Sequence, residues 1–255
     1  MVGCPFKKGS KKSLRTVGVH PEERMDDRCR SAEKERLMKI QTGSKLLFQG
    51  DSVTDAGRTR PISEGLHNPL GGGYPNIVNG LLTAVYPERM IRVVNMGNSG
   101  DNTRSLLNRW QTDTLDLKPD WLSIMIGVND VWRQFDVPYM KERHVLIGEY
   151  ESNLRKIIEL SKPVIPNIVL MTPYYMEPNR EDAMRAMIDR YGEVCRHLAE
   201  EYQLIFVDVQ AAFDKVLEHC HSSYFSWDRV HPAAAPGHSV IARAFLKAVE
   251  FDFNA

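Results

Sequence analysis

The chain has no apolar run near the roughly 20 residues that a bilayer-crossing helix needs, although hydrophobic residues make up 42% of it. That excludes an ordinary transmembrane helix. It has no net charge either, since 33 Lys and Arg balance 33 Asp and Glu. A balanced surface has no general attraction for nucleic acid or an anionic membrane, so neither is an expected partner. It has four cysteines, Cys4, Cys29, Cys195 and Cys220, scattered too widely for a zinc site or a disulfide framework. Reduced thiols in a cytoplasmic protein are expected. His219-x-His221 comes nearest to a metal motif, but no carboxylate or cysteine pattern completes a site around it. Gly71-Gly72-Gly73 lacks the Lys and Ser or Thr that follow in a phosphate loop and reads as a flexible lead into a helix. Neither a metal nor a cofactor is expected.

What is present is enough chain, 255 residues, for one α/β domain with a sizeable core. Residues 1–37 stand apart. They are dense in charge, lack a sustained apolar period and read as a disordered or loosely docked extension. Lys34-Glu35 can be encoded as a ribosome-binding sequence shortly before Met38. Residues 1–37 are therefore also read as a translated leader, with the domain proper spanning 38–255.

From there, short apolar runs alternate with amphipathic stretches. Strands are expected at Lys45–Gln49, Ile91–Asn95, Trp121–Ile126, Ile168–Met171 and Ile205–Asp208. Each run is short, mainly apolar and ended by Gly, Asn, Pro or Asp, as suits strands covered on both faces. Helices are expected at Tyr74–Tyr86, Val145–Leu160, Glu181–Tyr202 and His238–Val249. Trp110, Trp121, Met184 and Met187 read as core. Strand–helix alternation of this kind predicts a three-layer αβα sandwich around a five-stranded parallel sheet, flavodoxin-like, with right-handed crossovers.

In such sheets the chemistry collects beyond the carboxyl ends of the strands, and the notable residues fall there. Gly50-Asp51-Ser52 follows the first strand, and Gly97 to Thr103 the second. Gly127-Val128-Asn129-Asp130 follows the third, and Asp228-Arg229-Val230-His231 comes after the fifth. A serine hydroxyl needs a base within hydrogen-bond reach, and the base needs an orienting partner. Ser52, His231 and Asp228 supply these three parts. A tetrahedral intermediate needs donors aimed at its oxyanion, and the N–H groups of Ser52 and Gly100 with the Asn129 amide are placed to converge. Asp51 reads as structural, bonding nearby loop amides.

These four blocks, in this order, resemble those of the SGNH (GDSL) hydrolase superfamily over about residues 40 to 250. Within it, five runs resemble bacterial intracellular acetylxylan esterases: Gly50 to Arg58, Lys118-Pro119-Asp120-Trp121, Asn129 to Arg133, Met171 to Glu177, and Trp227 to Pro232. Asp101 departs from the pattern by standing between Gly100 and Asn102-Thr103, which bears on the shape of that loop. The resemblance implies removal of acetyl groups from acetylated xylo-oligosaccharides through an acetyl-enzyme, with assembly as a homo-oligomer. Proximity to the motifs places Tyr74, Trp132, Tyr174 and Trp227 as stacking walls for a sugar ring, and Arg58 and Arg133 as donors to its hydroxyls. Two alternatives stand beside this: a short-chain lipid esterase or thioesterase of the same fold, and a non-catalytic carbohydrate-binding protein.

Overall fold

The computed structural model of the protein describes residues 38–62 and 67–255. The extension and leader readings concern residues 1–37 and lie outside the described residues.

Five strands, β1 (Lys45–Gly50), β2 (Arg92–Asn95), β3 (Trp121–Met125), β4 (Asn167–Met171) and β5 (Ile205–Val207), form one sheet in the order β2-β1-β3-β4-β5. Every pairing is parallel. The expected strands are all present, with ends shifted by one residue.

The apolar runs are continuous because successive side chains enter opposite cores. Leu46, Phe48, Val93, Trp121, Met125, Val169, Met171 and Val207 fill one face. There they meet α2 (Tyr74–Val85) and α8 (Ala234–Ala248). Leu47, Val94, Leu122, Ile124, Ile168 and Leu170 fill the other. They meet α3 (Thr103–Asn108), α5 (Ile147–Ser161) and α6 (Ala183–Tyr202). Trp110 and Trp121 are both buried, as expected.

Four elements extend the sequence reading. Short helix α1 (Ser52–Asp55), α3, α4 (Val128–Asp136) and α7 (Val209–Leu217) were not anticipated. Helix α8 also begins four residues before the expected His238. Pro236 sits within its first turn, where a missing N–H costs nothing.

The order 2-1-3-4-5 puts the reversal of winding between β1 and β3, so a crevice opens at their carboxyl ends. Ser52 opens α1 directly after β1, and Asn129 lies in the first turn of α4 after β3. The topology alone thus brings together segments almost 80 residues apart in the chain.

Candidate active site

The turn after β1 is tight. A Cβ on Gly50 would lie 2.2 Å from Thr54 Oγ1 and 2.4 Å from the Met125 carbonyl oxygen. Asp51 caps α1, its Oδ1 accepting the Val53 N–H at 3.0 Å. Burial pushes the Asp51 carboxyl up to about 7, and the charges of Asp130 and Asp101 add to the effect. Its structural role is the expected one. Gly71-Gly72-Gly73 packs against this turn rather than forming a loose lead. Gly72 N–H bonds the Ala56 carbonyl at 2.9 Å, and a Cβ on Gly73 would meet the Ala56 Cβ at 2.7 Å.

Ser52 Oγ lies 2.8 Å from His231 Nε2. His231 Nδ1 lies 2.6 Å from Asp228 Oδ2. The carboxylate accepts a hydrogen bond from Nδ1–H, which leaves Nε2 free to accept from the hydroxyl. The other oxygen, Asp228 Oδ1, accepts the His231 backbone N–H at 2.7 Å and that of Val230 at 2.9 Å. Burial acts to raise the Asp228 carboxyl. The bonds from the His231 ring and the two backbone amides outweigh it and hold the group below its usual range. Arg229 adopts a positive φ of 66°, which closes the turn that lets one residue bond both ring and backbone of another.

Gly100 has φ +86°, and a Cβ there would meet nothing within 4 Å. Its N–H and that of Ser52 make no hydrogen bond among the described residues. Asn129 Nδ2 donates to the Asp101 carbonyl at 2.9 Å, which leaves its second N–H available. Asp101, the departure noted above, is an anchor. Its carboxylate receives Arg109 Nε at 2.6 Å and Asn98 Nδ2 at 2.8 Å, so the loop bearing Gly100 is held from behind.

Two of the six expected wall and donor residues border His231. Trp132 meets its ring edge-on at 5.6 Å between centroids. Trp227 stacks on it at 5.9 Å with 8° between planes, and is 82% exposed. The others require correction. Tyr74 is fully buried, with its hydroxyl 3.1 Å from Thr54 Oγ1. Tyr174 is buried too and donates to the Val230 carbonyl at 2.9 Å. Both rings pack in the core beneath the site, where sequence proximity to a motif cannot distinguish support from surface. Arg58 is buried and donates to the carbonyls of Gly97, Thr59 and Pro61, which uses its guanidinium to brace loops. Arg133 keeps 26% of its side chain exposed, but it donates to Asn129 Oδ1 at 3.0 Å and pairs with Asp136, which commits two of its five N–H groups to the protein.

Sequence reasoning missed several supports. Asn95 is buried and donates to the carbonyls of Thr54 and Leu70 at 2.6 and 2.9 Å. Asp130 accepts the Thr103 N–H and hydroxyl, tying α3 to α4. Its burial pushes it up to about 7. His238 is buried, and its Nδ1 accepts the Tyr74 N–H at 3.2 Å. Asp130 lies in a quoted motif, so its position was a signal; nothing in the local sequence marks Asn95 or His238.

A family model, the GDSL-like lipase/acylhydrolase family, matches residues 48–238. The chain belongs to this family. An acetylxylan esterase from Geobacillus stearothermophilus is 54% identical over 216 residues, covering 85% of this chain and 98% of that protein. A crystal structure of an acetylxylan esterase from the same organism matches with a TM-score of 0.83 and 54% identity, over 84% of this chain and 98% of that one. An alpha/beta hydrolase from the metagenome of Lake Arreo, Spain, matches with a TM-score of 0.82 and 51% identity, over 84% and 98%. The fold and the superfamily implied by the motifs are those found, and the chain is a carboxylic ester hydrolase.

Proposed function

We propose that this ester hydrolase removes acetyl groups from acetylated xylo-oligosaccharides, with Ser52 as nucleophile, His231 as general base and acid, and Asp228 as its orienting partner. The observation that carries this reading is the hydrogen-bonded run from Ser52 Oγ through His231 to Asp228, flanked by Trp132 and Trp227. Flat aromatic faces beside a nucleophile suit a sugar ring better than an acyl chain.

The Ser52 oxygen attacks the acetyl carbonyl while His231 Nε2 takes the hydroxyl proton. The developing oxyanion meets the N–H groups of Ser52 and Gly100 and the free N–H of Asn129. Collapse breaks the ester bond, and His231 returns the proton to the departing sugar oxygen. Water then repeats the sequence on the acetyl-enzyme, releasing acetate and restoring Ser52. Throughout, ionised Asp228 faces the imidazolium that forms in each half.

Cytoplasmic location and assembly as a homo-oligomer belong to the same proposal. Both described cysteines, buried Cys195 and exposed Cys220, are free thiols, as suits a reducing compartment. Light scattering of the purified protein tests the assembly.

The reaction is tested by comparing kcat/KM on an acetylated xylo-oligosaccharide and on octanoyl ester and thioester substrates. Preference for the acetylated sugar is expected, and a strong preference for the octanoyl compounds overturns it. A serine-directed phosphonate probe should label the native protein and not Ser52→Ala. Equal labelling of both removes Ser52 as the nucleophile.

A further inference from the structure

We propose that Arg133 is a positioning residue for the oxyanion hole, which it sets by fixing and polarising the amide of Asn129. This rests on the reading of Asn129 as an oxyanion donor. It assigns Arg133 a task other than binding sugar hydroxyls.

The argument starts from the amide itself. A primary amide can swap its oxygen and nitrogen by rotating about χ2, and only one orientation presents N–H to an oxyanion. In the other orientation a carbonyl oxygen would face the developing negative charge. Two contacts select the productive orientation. The Asp101 carbonyl accepts one Nδ2–H at 2.9 Å, and Arg133 Nη2 donates to Oδ1 at 3.0 Å. A cation can donate to Oδ1 but never to the NH2 group, so a flipped amide would face Arg133 donor to donor. The Asp101 carbonyl would likewise face an oxygen. The two partners therefore reject the flip from both ends.

Arg133 also acts on the strength of the donor. A charged donor on the amide oxygen draws electron density from the nitrogen, so the remaining N–H becomes a better donor. Its positive charge lies behind Asn129 as negative charge develops in front of it. Asn129 is buried, and a water-poor surrounding weakens this effect less than bulk solvent would.

Two contacts besides the Asn129 bond hold Arg133 in place. Residues 129, 132 and 133 lie on α4 at spacings that put them on one side. The guanidinium carbon stands 4.7 Å from the centroid of the Trp132 ring, and Nη1 pairs with Asp136 one turn on. Trp132 in turn meets the ring of His231. One side chain therefore fixes both the oxyanion amide and the aromatic wall against the base.

The test is steady-state kinetics on two substrates, an acetylated xylo-oligosaccharide and p-nitrophenyl acetate, which has no sugar hydroxyls. Removing a whole oxyanion donor costs about 100- to 1,000-fold in kcat, and weakening one should cost less. Arg133→Met is expected to lower kcat about 10-fold on both substrates, with KM changed less than about 2-fold. Arg133→Lys, which keeps the charge without the fork, should recover part of the loss. In an Asn129→Ala background, Arg133→Met should cost less than about 2-fold more, because the amide it acts through is gone. Circular dichroism selects folded variants, and if Arg133→Met does not fold, Arg133→Gln replaces it in the same cycle. A loss confined to the sugar substrate and to KM overturns the proposal, as do no loss at all and a full 10-fold loss in the Asn129→Ala background. The underlying reading fails separately: if Asn129→Ala alone leaves kcat unchanged, Asn129 is not an oxyanion donor.

Discussion

Asp228 grips His231 at two points, with Oδ2 on the ring nitrogen at 2.6 Å and Oδ1 on the backbone amide at 2.7 Å. The carboxylate sets both the rotation of the ring and the turn that presents it. Asp228→Asn can still accept the backbone amide, but it cannot stabilise an imidazolium, and its NH2 group favours the wrong ring tautomer. A fall in kcat of about 10⁴-fold is expected, against about 10⁶-fold for His231→Ala. The measurement is kcat on p-nitrophenyl acetate with folded variants. Turnover by Asp228→Asn equal to wild type would refute the orienting role.

Gly100 combines φ +86° with open space where a Cβ would stand. Alanine there is strained by about 1 kcal/mol, and its methyl projects into space rather than into protein. Gly100→Ala should therefore lower Tm by only a few degrees while obstructing the approach of the carbonyl oxygen. A kcat loss of about 10- to 100-fold is expected. A large drop in Tm with kcat retained would make Gly100 a folding residue only.

Trp227 exposes 82% of its surface while stacking on His231. An exposed indole in that place offers its second face to a sugar. Stacking of this kind contributes about 0.5–1.5 kcal/mol, which is about 2- to 13-fold in affinity. Trp227→Ala should raise KM for an acetylated xylo-oligosaccharide by that factor. The accompanying fall in kcat/KM on p-nitrophenyl acetate should be smaller. An equal fall on both substrates would show that the indole serves His231 and not the sugar.

The sheet was legible because its strands are apolar on both faces, short, and ended by turn residues, a combination that favours a buried strand over a helix. Ser52, Asp228 and His231 were legible because each sits in a short motif at a strand end, where a parallel sheet gathers its loops. Tyr74 and Tyr174 misled for the same reason: nearness in sequence to a motif says nothing about which way a ring points. Tyr74 begins a helix whose inner face packs on Phe48, and Tyr174 packs on Phe213. Helix α4 escaped notice because a strand-end motif, Gly127 to Asp130, is also its first turn. Asn95 and His238 were invisible because their partners, Thr54 and Tyr74, lie far away in sequence.

His238 joins α8, which follows the Asp228–His231 segment, to α2, which packs beside the Ser52 turn. Its Nδ1 must stay unprotonated to accept the Tyr74 N–H at 3.2 Å. Burial, with the charge of His231 adding, pushes it down from 6.5 to about 4. A depressed histidine stabilises the fold fully above its unfolded pKa of 6.5, and the contribution is lost as pH falls from there toward 4. A shift of that size corresponds to about 3 kcal/mol at most. Asp51 and Asp130 titrate the opposite way, since carboxyls raised to about 7 weaken the fold as pH rises from their ordinary range. The diagnostic quantity is therefore the difference in unfolding free energy between wild type and His238→Asn, in which those two contributions cancel. Urea denaturation at about pH 7.5, 6 and 4.5 should show the wild-type lead shrinking toward acid. A lead that stays constant across that range would mean that His238 titrates alike in the folded and unfolded chain, so that burial and the Tyr74 bond do not keep its ring neutral.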